Sequence, residues 1–548
     1  MVSSNMPLFF IGIIIIFIMS GLTLIPSLWM SLSVVFFSAV FLLFRYFKKK
    51  QVPSNIYFFV SLLIALFFLT VSSFLLSINI SVSLEKLLLF VSCFMLFLVS
   101  SQFKVETRFV LLPIFITVGI YTLLYLFKLF NWIPLPFLTT GGYQMILPTT
   151  DSHNHLGDLI GLIIAVTPFM FKSKYAQKTL LYLFLPILIM SFSKSAFLSL
   201  GITSLAAFFI EVDRERKQRM LFNMFRSLYI IIPVIMIYSS EFSHNRFIEP
   251  IQKYFSYAFQ IVPKPLLSTR DVYFSQVTSF VTRMIPEHIG LGIGLGNFSY
   301  LSSSVVADIS YKIGSAHNFF LNMFVEGGLL SVLWMLVFFT LVVFGGLKKK
   351  MVVVLPVIYI LINFQTDYTY QIPLMLFLLF FYAGQVHARY STSFLSPRVI
   401  LLFLVIGSVG YAMIFTQLNI RQNKLLNLTT YLSSVGKTES RQKLYPALID
   451  LEKERPYEEI TLLRIAEFYN LTKNHSEERR VLEKLSLYSP HMYVKQFPKL
   501  LLAIEQGGGD SNEYLRKQRL FLLTLPLSQE ERDGINVICK NNLKSICL

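Results

Sequence analysis

The chain has 548 residues, of which 55% are hydrophobic and 14% are charged, and its mean hydropathy is +0.63. This composition excludes an ordinary soluble domain and indicates a membrane protein. The formal net charge is +18, but the lysines and arginines lie in short runs between apolar segments and form no single basic face. That distribution argues against a nucleic-acid-binding protein and favours signals of membrane topology.

A bilayer core about 30 Å thick needs about 20 apolar residues per helix. By that rule the sequence predicts an all-α, polytopic transmembrane helix bundle of about thirteen spans. Their approximate extents are 7–25, 27–44, 56–77, 84–103, 107–130, 155–171, 178–193, 195–211, 222–239, 319–346, 351–366, 370–387 and 398–417.

The basic residues predict the orientation of these spans, because cytoplasmic loops retain Lys and Arg. Basic clusters occupy alternate connections, at 45–50, 104–108, 172–178, 214–219, 348–350 and 387–389. We therefore expect the N-terminus inside and the C-terminus outside. Three outer pieces are long enough to carry chemistry, and these are 131–154, 240–318 and the chain beyond 418.

The chain divides into three predicted parts. Residues 1–150 form N-terminal transmembrane helices, 151–417 form a transmembrane core that contains the large outer loop 240–318, and 418–548 form a charged outer domain. Within the last part, two amphipathic stretches at 461–474 and 475–489 end at Pro490. This pattern predicts a tetratricopeptide-like hairpin, and so a small extracytoplasmic helical repeat domain.

Cysteines predict no disulfide framework and no zinc site. Cys93 lies in an apolar segment, and Cys539 and Cys547 lie near the end of the chain. A single disulfide between Cys539 and Cys547 is left open.

The outer loop 240–318 holds the densest group of unusual residues, namely Arg270, Arg283, the glycine-rich run 290–297, His317 and Asn318. Glycines such as Gly292 and Gly294 permit tight turns and a close approach of backbone N–H groups to an anion. Their spacing is not GxGxxG, and no strand–helix–strand unit surrounds them, which argues against a dinucleotide site. A flexible linker or re-entrant turn is an equal alternative.

His317 lies where this loop enters the membrane. A neutral imidazole there can accept a proton from a hydroxyl nucleophile near neutral pH; the alternative is a hydrogen-bonded boundary residue. Arg270 and Arg283 supply permanent charge and forked donors, which suit a diphosphate leaving group. Their alternative role is packing against lipid headgroups.

Two other polar segments are predicted to lie on the same side of the membrane as His317. Residues 151–155, which include Asn154 and His155, stand at the outer end of the sixth span, and Lys194 lies in the turn between the seventh and eighth. Lys194 is the only basic residue of that tight apolar turn, where charge is usually avoided. We therefore favour a functional role for Lys194 slightly over snorkelling.

Four motifs carry a resemblance to a known superfamily. The most specific is Ala-His317-Asn318-Phe-Phe-Leu, which continues to Glu326-Gly-Gly-Leu. Upstream of it, Arg270 is followed by Pro286 and by Gly-Leu-Gly-Ile-Gly-Leu-Gly-Asn-Phe at 290–298.

The other two motifs are Asn154-His155-Leu-Gly and Ser-Lys194-Ser-Ala. In these residues the chain resembles the superfamily of O-antigen ligases, Wzy-type polymerases and protein O-oligosaccharyltransferases. The match covers roughly residues 150–390. Lys194 departs from the pattern, because the family commonly has Arg at this position, and a lysine cannot bind phosphate through two parallel N–H groups.

The resemblance implies a GT-C-like, inverting glycosyltransferase of a bacterial cytoplasmic membrane. Its donor would be a polyprenyl diphosphate-linked glycan, with no nucleotide sugar, metal, ATP or other cofactor. It also implies that His317 activates an acceptor hydroxyl and that Arg270 stabilises the departing lipid diphosphate, with Lys194 and Arg283 as weaker candidates. The implied supporting residues are Asn318, Asn154, His155, Glu326, Gly292 and Gly294.

The acceptor stays open between a glycan, a glycolipid such as lipid A core, and the Ser or Thr residues of a protein. The predicted external repeat domain favours a module that recognises the acceptor, and this inference is an analogy of fold only. Two other classes are alternatives: a transporter or flippase without catalysis, and a non-catalytic scaffold. A transporter would place charges along a pathway inside the spans, and few lie in or near them: Glu85, Lys86, Lys128, Asp158 and Glu326.

Overall fold

The computed structural model describes residues 27–47, 52–54, 56–77, 80–101, 153–170, 173–191, 193–210, 286–298, 316–367, 369–390, 393–395, 408–416 and 459–488, with a few isolated positions. The predicted spans 7–25, 107–130 and 222–239 lie outside these residues, as do Arg270, Arg283, Cys539 and Cys547.

Nearly every apolar run within the described residues is a helix that begins and ends close to a predicted span. The helices are α1 (Ser27–Phe47), α2 (Ile56–Leu75), α3 (Ile80–Ser100), α4 (His153–Met170), α5 (Lys174–Ser191), α6 (Lys194–Ile210), the short α7 (Pro286–Leu291), α8 (Phe319–Lys348), α9 (Val354–Thr366) and α10 (Pro373–Tyr390). Residues 408–416 are also helical. A helix suits such sequences because it satisfies its own backbone hydrogen bonds where water is absent.

Three of these helices are long and apolar enough to cross a membrane. They lie within α2 (Tyr57–Leu75), α3 (Val82–Ser100) and α8 (Phe319–Lys348). Shorter apolar stretches occupy α1, α4, α6 and α9. The described residues are therefore those of a helical protein with three candidate membrane spans, and the count of thirteen stays a prediction.

Two groups of helices make up the bundle. In the first, α8 packs on α2 and α10, and α3 packs on α1, α2 and α10. Its centre is aromatic, with Phe338 between Phe97 (ring centroids 5.4 Å apart) and Phe380 (6.1 Å). In the second group, α5 and α6 each pack on α4, and α9 joins the groups because it contacts α4, α6, α8 and α10.

One end of the bundle carries a small antiparallel pair of strands, β1 (Val52–Ser54) and β2 (Ser393–Leu395). The pair forms because the backbone groups of two short connections satisfy one another, and it leaves the fold helical. At the same end Lys349 Nζ donates to the Tyr390 carbonyl at 2.9 Å. Connections predicted to be cytoplasmic by their basic residues therefore meet at this end.

The described C-terminal residues form a helical hairpin of α11 (Glu459–Leu471) and α12 (His475–Tyr488), which pack on each other. These bounds nearly coincide with the two predicted amphipathic stretches. Buried Leu462, Ile465 and Phe468 of α11 and Leu482 and Leu485 of α12 supply its apolar contact surface. A complete repeat domain stays a prediction.

Candidate functional site

The other end of the bundle brings together connections that the sequence predicts to be outside. His317 and Asn318 precede α8, and Asp367 follows α9. The turn from Ser193 to Ser195 leads from α5 into α6. Side chains from these connections and from α4 form one polar cluster at the end of an apolar bundle.

His317 has a backbone conformation that is uncommon for a residue with a side chain, with φ at +48°. The left-handed region costs a residue other than glycine on the order of 1–3 kcal/mol, so neighbouring contacts must hold it there. Asn318 supplies such contacts as the N-cap of α8. Its Oδ1 accepts from the Leu321 N–H at 3.0 Å, and its Nδ2 donates to the Gln365 carbonyl at 3.2 Å. Asn318 therefore caps α8 and ties it to α9.

The His317 imidazole faces the Asp367 carboxylate. Nδ1 of His317 lies 3.9 Å from Oδ1 of Asp367, and the side chains are 30% and 8% exposed. The distance exceeds a hydrogen bond, yet a carboxylate on that side favours a proton on Nδ1 and leaves Nε2 as the basic nitrogen. Catalytic hydrogen bonds are often long before substrate binds. The arrangement is that of a partly exposed base supported by a nearly buried acid.

Behind Asp367 lies a second buried carboxyl group, that of Asp158 on α4. Its Oδ1 accepts from Ser193 Oγ at 2.7 Å and from Ser195 Oγ at 2.8 Å. Ser195 Oγ also lies 3.4 Å from Asp367 Oδ2, so this serine stands between the two carboxyl groups. Tyr359 Oη donates to the Asp158 carbonyl at 2.8 Å. These contacts join α4, α6 and α9 in one buried polar network.

Neither Asp158 nor Asp367 is among the site residues that the sequence predicts. Both positions nevertheless have a recognisable sequence pattern. Asp367 is the acidic residue at the predicted outer connection between the spans 351–366 and 370–387. Asp158 follows Asn154 by four residues and His155 by three, which places all three on one face of a helix.

The other predicted residues of this region are described in part. His155 is buried in α4, at 1% exposure. Asn154 lies in α4 and Lys194 begins α6, but their side chains lie outside the described residues.

The glycine-rich run forms tight turns, with φ at +76° for Gly292 and +90° for Gly294. Its N–H groups turn toward the protein: Gly294 N–H donates to the Glu326 carbonyl at 2.9 Å, and Phe298 N–H donates to Glu326 Oε1 at 3.3 Å. The run is thus packed against α8 through its backbone. These donors are not directed at an anion, in contrast to the alternative of an anion cradle.

Comparison of the chain with protein-family models and with curated proteins gives no match. Function must therefore be inferred from the chemistry of the site. A histidine supported by a carboxylate can take a proton from a hydroxyl group. Among the described residues no group of three or more His, Cys, Asp and Glu side chains is placed to hold a metal ion.

Proposed function

We propose that the chain is a membrane glycosyltransferase that moves a glycan from a polyprenyl diphosphate-linked donor to a hydroxyl acceptor on the extracytoplasmic face. The observation that carries this proposal is the pair of His317 and Asp367 at one end of the apolar bundle. A base at that end can reach a water-facing acceptor while the lipid tail of the donor stays in the membrane. The motif around His317 supports the same reaction.

The proposed reaction is a single displacement. His317 Nε2 takes the proton of the acceptor hydroxyl as its oxygen bonds to the anomeric carbon. The bond from that carbon to the donor diphosphate breaks on the opposite side, so the anomeric configuration inverts. The bonding electrons leave with the lipid diphosphate, whose charge Arg270 stabilises, with Lys194 and Arg283 as further cations. Asp367 stabilises the imidazolium that forms.

The grouping of connections supports the proposed topology. Lys349 and the two strands lie at one end of the bundle, and His317 and Asp367 lie at the other. The positive-inside pattern places the first end in the cytoplasm. We therefore propose a multi-pass protein of a bacterial cytoplasmic membrane with thirteen spans, its N-terminus inside and its C-terminal domain outside.

The acceptor decides between an O-antigen ligase, a Wzy-type polymerase and a protein O-oligosaccharyltransferase. We propose that the C-terminal region, a tetratricopeptide-like domain that includes α11 and α12, presents the acceptor. Helical hairpins of this kind offer binding surfaces and few reactive groups. Removal of residues 424–548 should therefore impair use of the acceptor while crosslinking of the lipid-linked donor persists.

The test is transfer by the purified, reconstituted protein from a lipid-linked donor, in the presence of EDTA. We expect wild-type activity in EDTA and at most residual transfer by His317→Ala, because the base is lost from a partly exposed position. Tyr175→Ala, which removes an exposed ring at the start of α5, is the control and should stay active. Full activity of His317→Ala would contradict the mechanism, as would loss of wild-type activity in EDTA that a divalent cation restores.

A second candidate function is transport without glycan transfer. Asp158 is fully buried in an apolar helix, with Asp367 close by, and buried acidic residues often mark ion or proton pathways. A transporter would move the lipid-linked glycan across vesicles with no change in its covalent structure. Movement that stops in Asp158→Asn and persists in His317→Ala would favour this function over glycosyl transfer.

A further inference from the structure

The glycine-rich run interlocks with a break in the middle of α8. Gly328 is not helical, with φ at +76° and ψ at 172°, so α8 consists of two helical parts. A break of this kind frees backbone carbonyl groups in apolar surroundings, where they need partners. Ile293 N–H donates to the Val325 carbonyl at 3.2 Å, and Gly294 N–H donates to the Glu326 carbonyl at 2.9 Å. The loop thus supplies the donors that the broken helix requires.

The fit between the two backbones leaves no space for a side chain. A Cβ on Gly292 would lie 2.4 Å from the Glu326 carbonyl oxygen and 2.6 Å from the Gly328 nitrogen. A Cβ on Gly328 would lie 2.3 Å from the Gly290 carbonyl oxygen. Backbone atoms cannot turn aside as a flexible side chain can, and both glycines have positive φ angles. Any substitution at Gly292 or Gly328 must therefore separate the loop from the helix.

Hydroxyl groups of α2 and α3 hold the same unit in place. Ser72 Oγ donates to the Glu326 carbonyl at 2.7 Å, and Ser83 Oγ donates to the Leu295 carbonyl at 2.8 Å. Asn297 Nδ2 donates to Ser83 Oγ at 3.0 Å. The loop is therefore anchored to three helices and cannot shift without breaking buried hydrogen bonds.

A short series of contacts leads from this unit to His317. Phe298 N–H donates to Glu326 Oε1 at 3.3 Å. Asn322, one helical turn earlier in α8, contacts the Glu326 carboxyl group. Oδ1 of the same Asn322 accepts from the Ala316 N–H at 3.2 Å, next to His317 in the chain. The first helical part of α8 begins just after His317 and Asn318, and the loop holds its other end, next to Gly328.

We propose that Gly292, Gly328 and Glu326 are positioning residues for His317. Their interlock fixes the first helical part of α8 and, through Asn322 and Ala316, the place of His317 at the end of the bundle. This inference rests on the proposed function, in which His317 is the base that takes the acceptor proton. Loosening the interlock misaligns the base and the bound donor, while donor binding itself persists.

The test compares Gly292→Ala with Gly290→Ala. A Cβ on Gly290 meets no atom within 4 Å, so this variant is a matched control two residues away. We expect kcat to fall on the order of 100-fold in Gly292→Ala, which corresponds to a displacement of about 1 Å. The donor KM and the amount of folded protein should be unchanged, and Gly290→Ala should behave as wild type. Unchanged kcat in Gly292→Ala, or an equal loss of kcat and of folded protein, would overturn the inference.

Glu326 supplies a second comparison that preserves the backbone. Glu326→Gln keeps an oxygen that accepts from Phe298 N–H and should retain activity, whereas Glu326→Ala should lose kcat. If Glu326→Gln lost activity as Glu326→Ala does, the carboxyl group would have a chemical role and the positioning role would be wrong.

A readout independent of transfer separates this inference from the proposed function. The rate at which diethyl pyrocarbonate modifies His317, measured by mass spectrometry, should change in Gly292→Ala and stay constant in Gly290→Ala. A changed rate in a protein whose wild type transfers no glycan would support the interlock and contradict the transferase. An unchanged rate would contradict the interlock whatever the activity.

Discussion

Replacement of Asp367 by asparagine tests the link between geometry and catalysis most directly. Asparagine keeps the size of the side chain and an oxygen that can face Ser195. It removes the negative charge that lies 3.9 Å from His317 Nδ1. The charge matters only when the imidazole carries a proton, which occurs as the acceptor attacks. Asp367→Asn should therefore lower kcat and leave the KM for the donor nearly unchanged.

The size of the effect follows from the distance. Two unit charges 3.9 Å apart interact by about 4 kcal/mol at an effective dielectric constant near 20. Each 1.36 kcal/mol corresponds to tenfold in rate, so this attraction amounts to about 1,000-fold. The His317 side chain is 30% exposed, and water screens part of the attraction. We therefore expect kcat to fall by about 100- to 1,000-fold.

The assay is steady-state glycan transfer by reconstituted protein, with donor concentration varied at saturating acceptor. Glu467→Gln is the control for loss of one negative charge, because Glu467 is exposed on the C-terminal hairpin and pairs only with exposed Arg464 in the described contacts. It should not change kcat. A kcat of Asp367→Asn within threefold of wild type would refute the role assigned to Asp367.

Two other predictions concern packing and the C-terminal hairpin. Gly157→Ala in α4 should slow transfer, because the added Cβ would lie within 3 Å of side-chain atoms around the turn between α5 and α6. Gly201→Ala is the control: its added Cβ would meet no atom within 4 Å, and its transfer rate should equal that of the wild type. Glu452→Gln should destabilise the hairpin by about 1 kcal/mol, since Arg480 donates two hydrogen bonds of 2.8 Å to this carboxylate. Those bonds hold the pKa of Glu452 in the folded protein below its usual value. The bonds therefore stabilise the fold at any pH above the pKa that Glu452 has in the unfolded chain, and this stabilisation is lost as the pH falls through the lower pKa of the folded protein. The protection of the amide hydrogens of residues 459–488, measured relative to their intrinsic exchange rates, should therefore fall toward acid pH in the wild type and depend less on pH in Glu452→Gln. An identical pH dependence of protection in both would contradict this account.

The sequence predicts the described helices well for a physical reason. In an apolar solvent the backbone must satisfy its own hydrogen bonds, so the length of an apolar run determines the length of the helix. The bounds of α2 and α8 follow their apolar runs closely. The sequence also marks His317 and Asn318, which lie where the outer loop 240–318 meets a long apolar run.

The polar network required the tertiary structure. Asp158 and Asp367 are separated by more than 200 positions in the sequence, and Ser195 stands between them only because α4, α6 and α9 pack together. The pairing of β1 with β2 also joins distant parts of the chain. Local propensity carries no information about such pairs, because their energy depends on which helices become neighbours.

The glycine-rich run separates the two kinds of information most clearly. The sequence by itself showed that residues 290–297 can make tight turns, because glycine has access to positive φ angles that other residues avoid. It left open whether the N–H groups of this run approach an anion or belong to a flexible linker or re-entrant turn. Only the tertiary structure decided this, by placing the freed carbonyl groups of Val325 and Glu326 within reach of those N–H groups. A buried carbonyl group must find a donor, and the packing of the helices determines which donor is near enough.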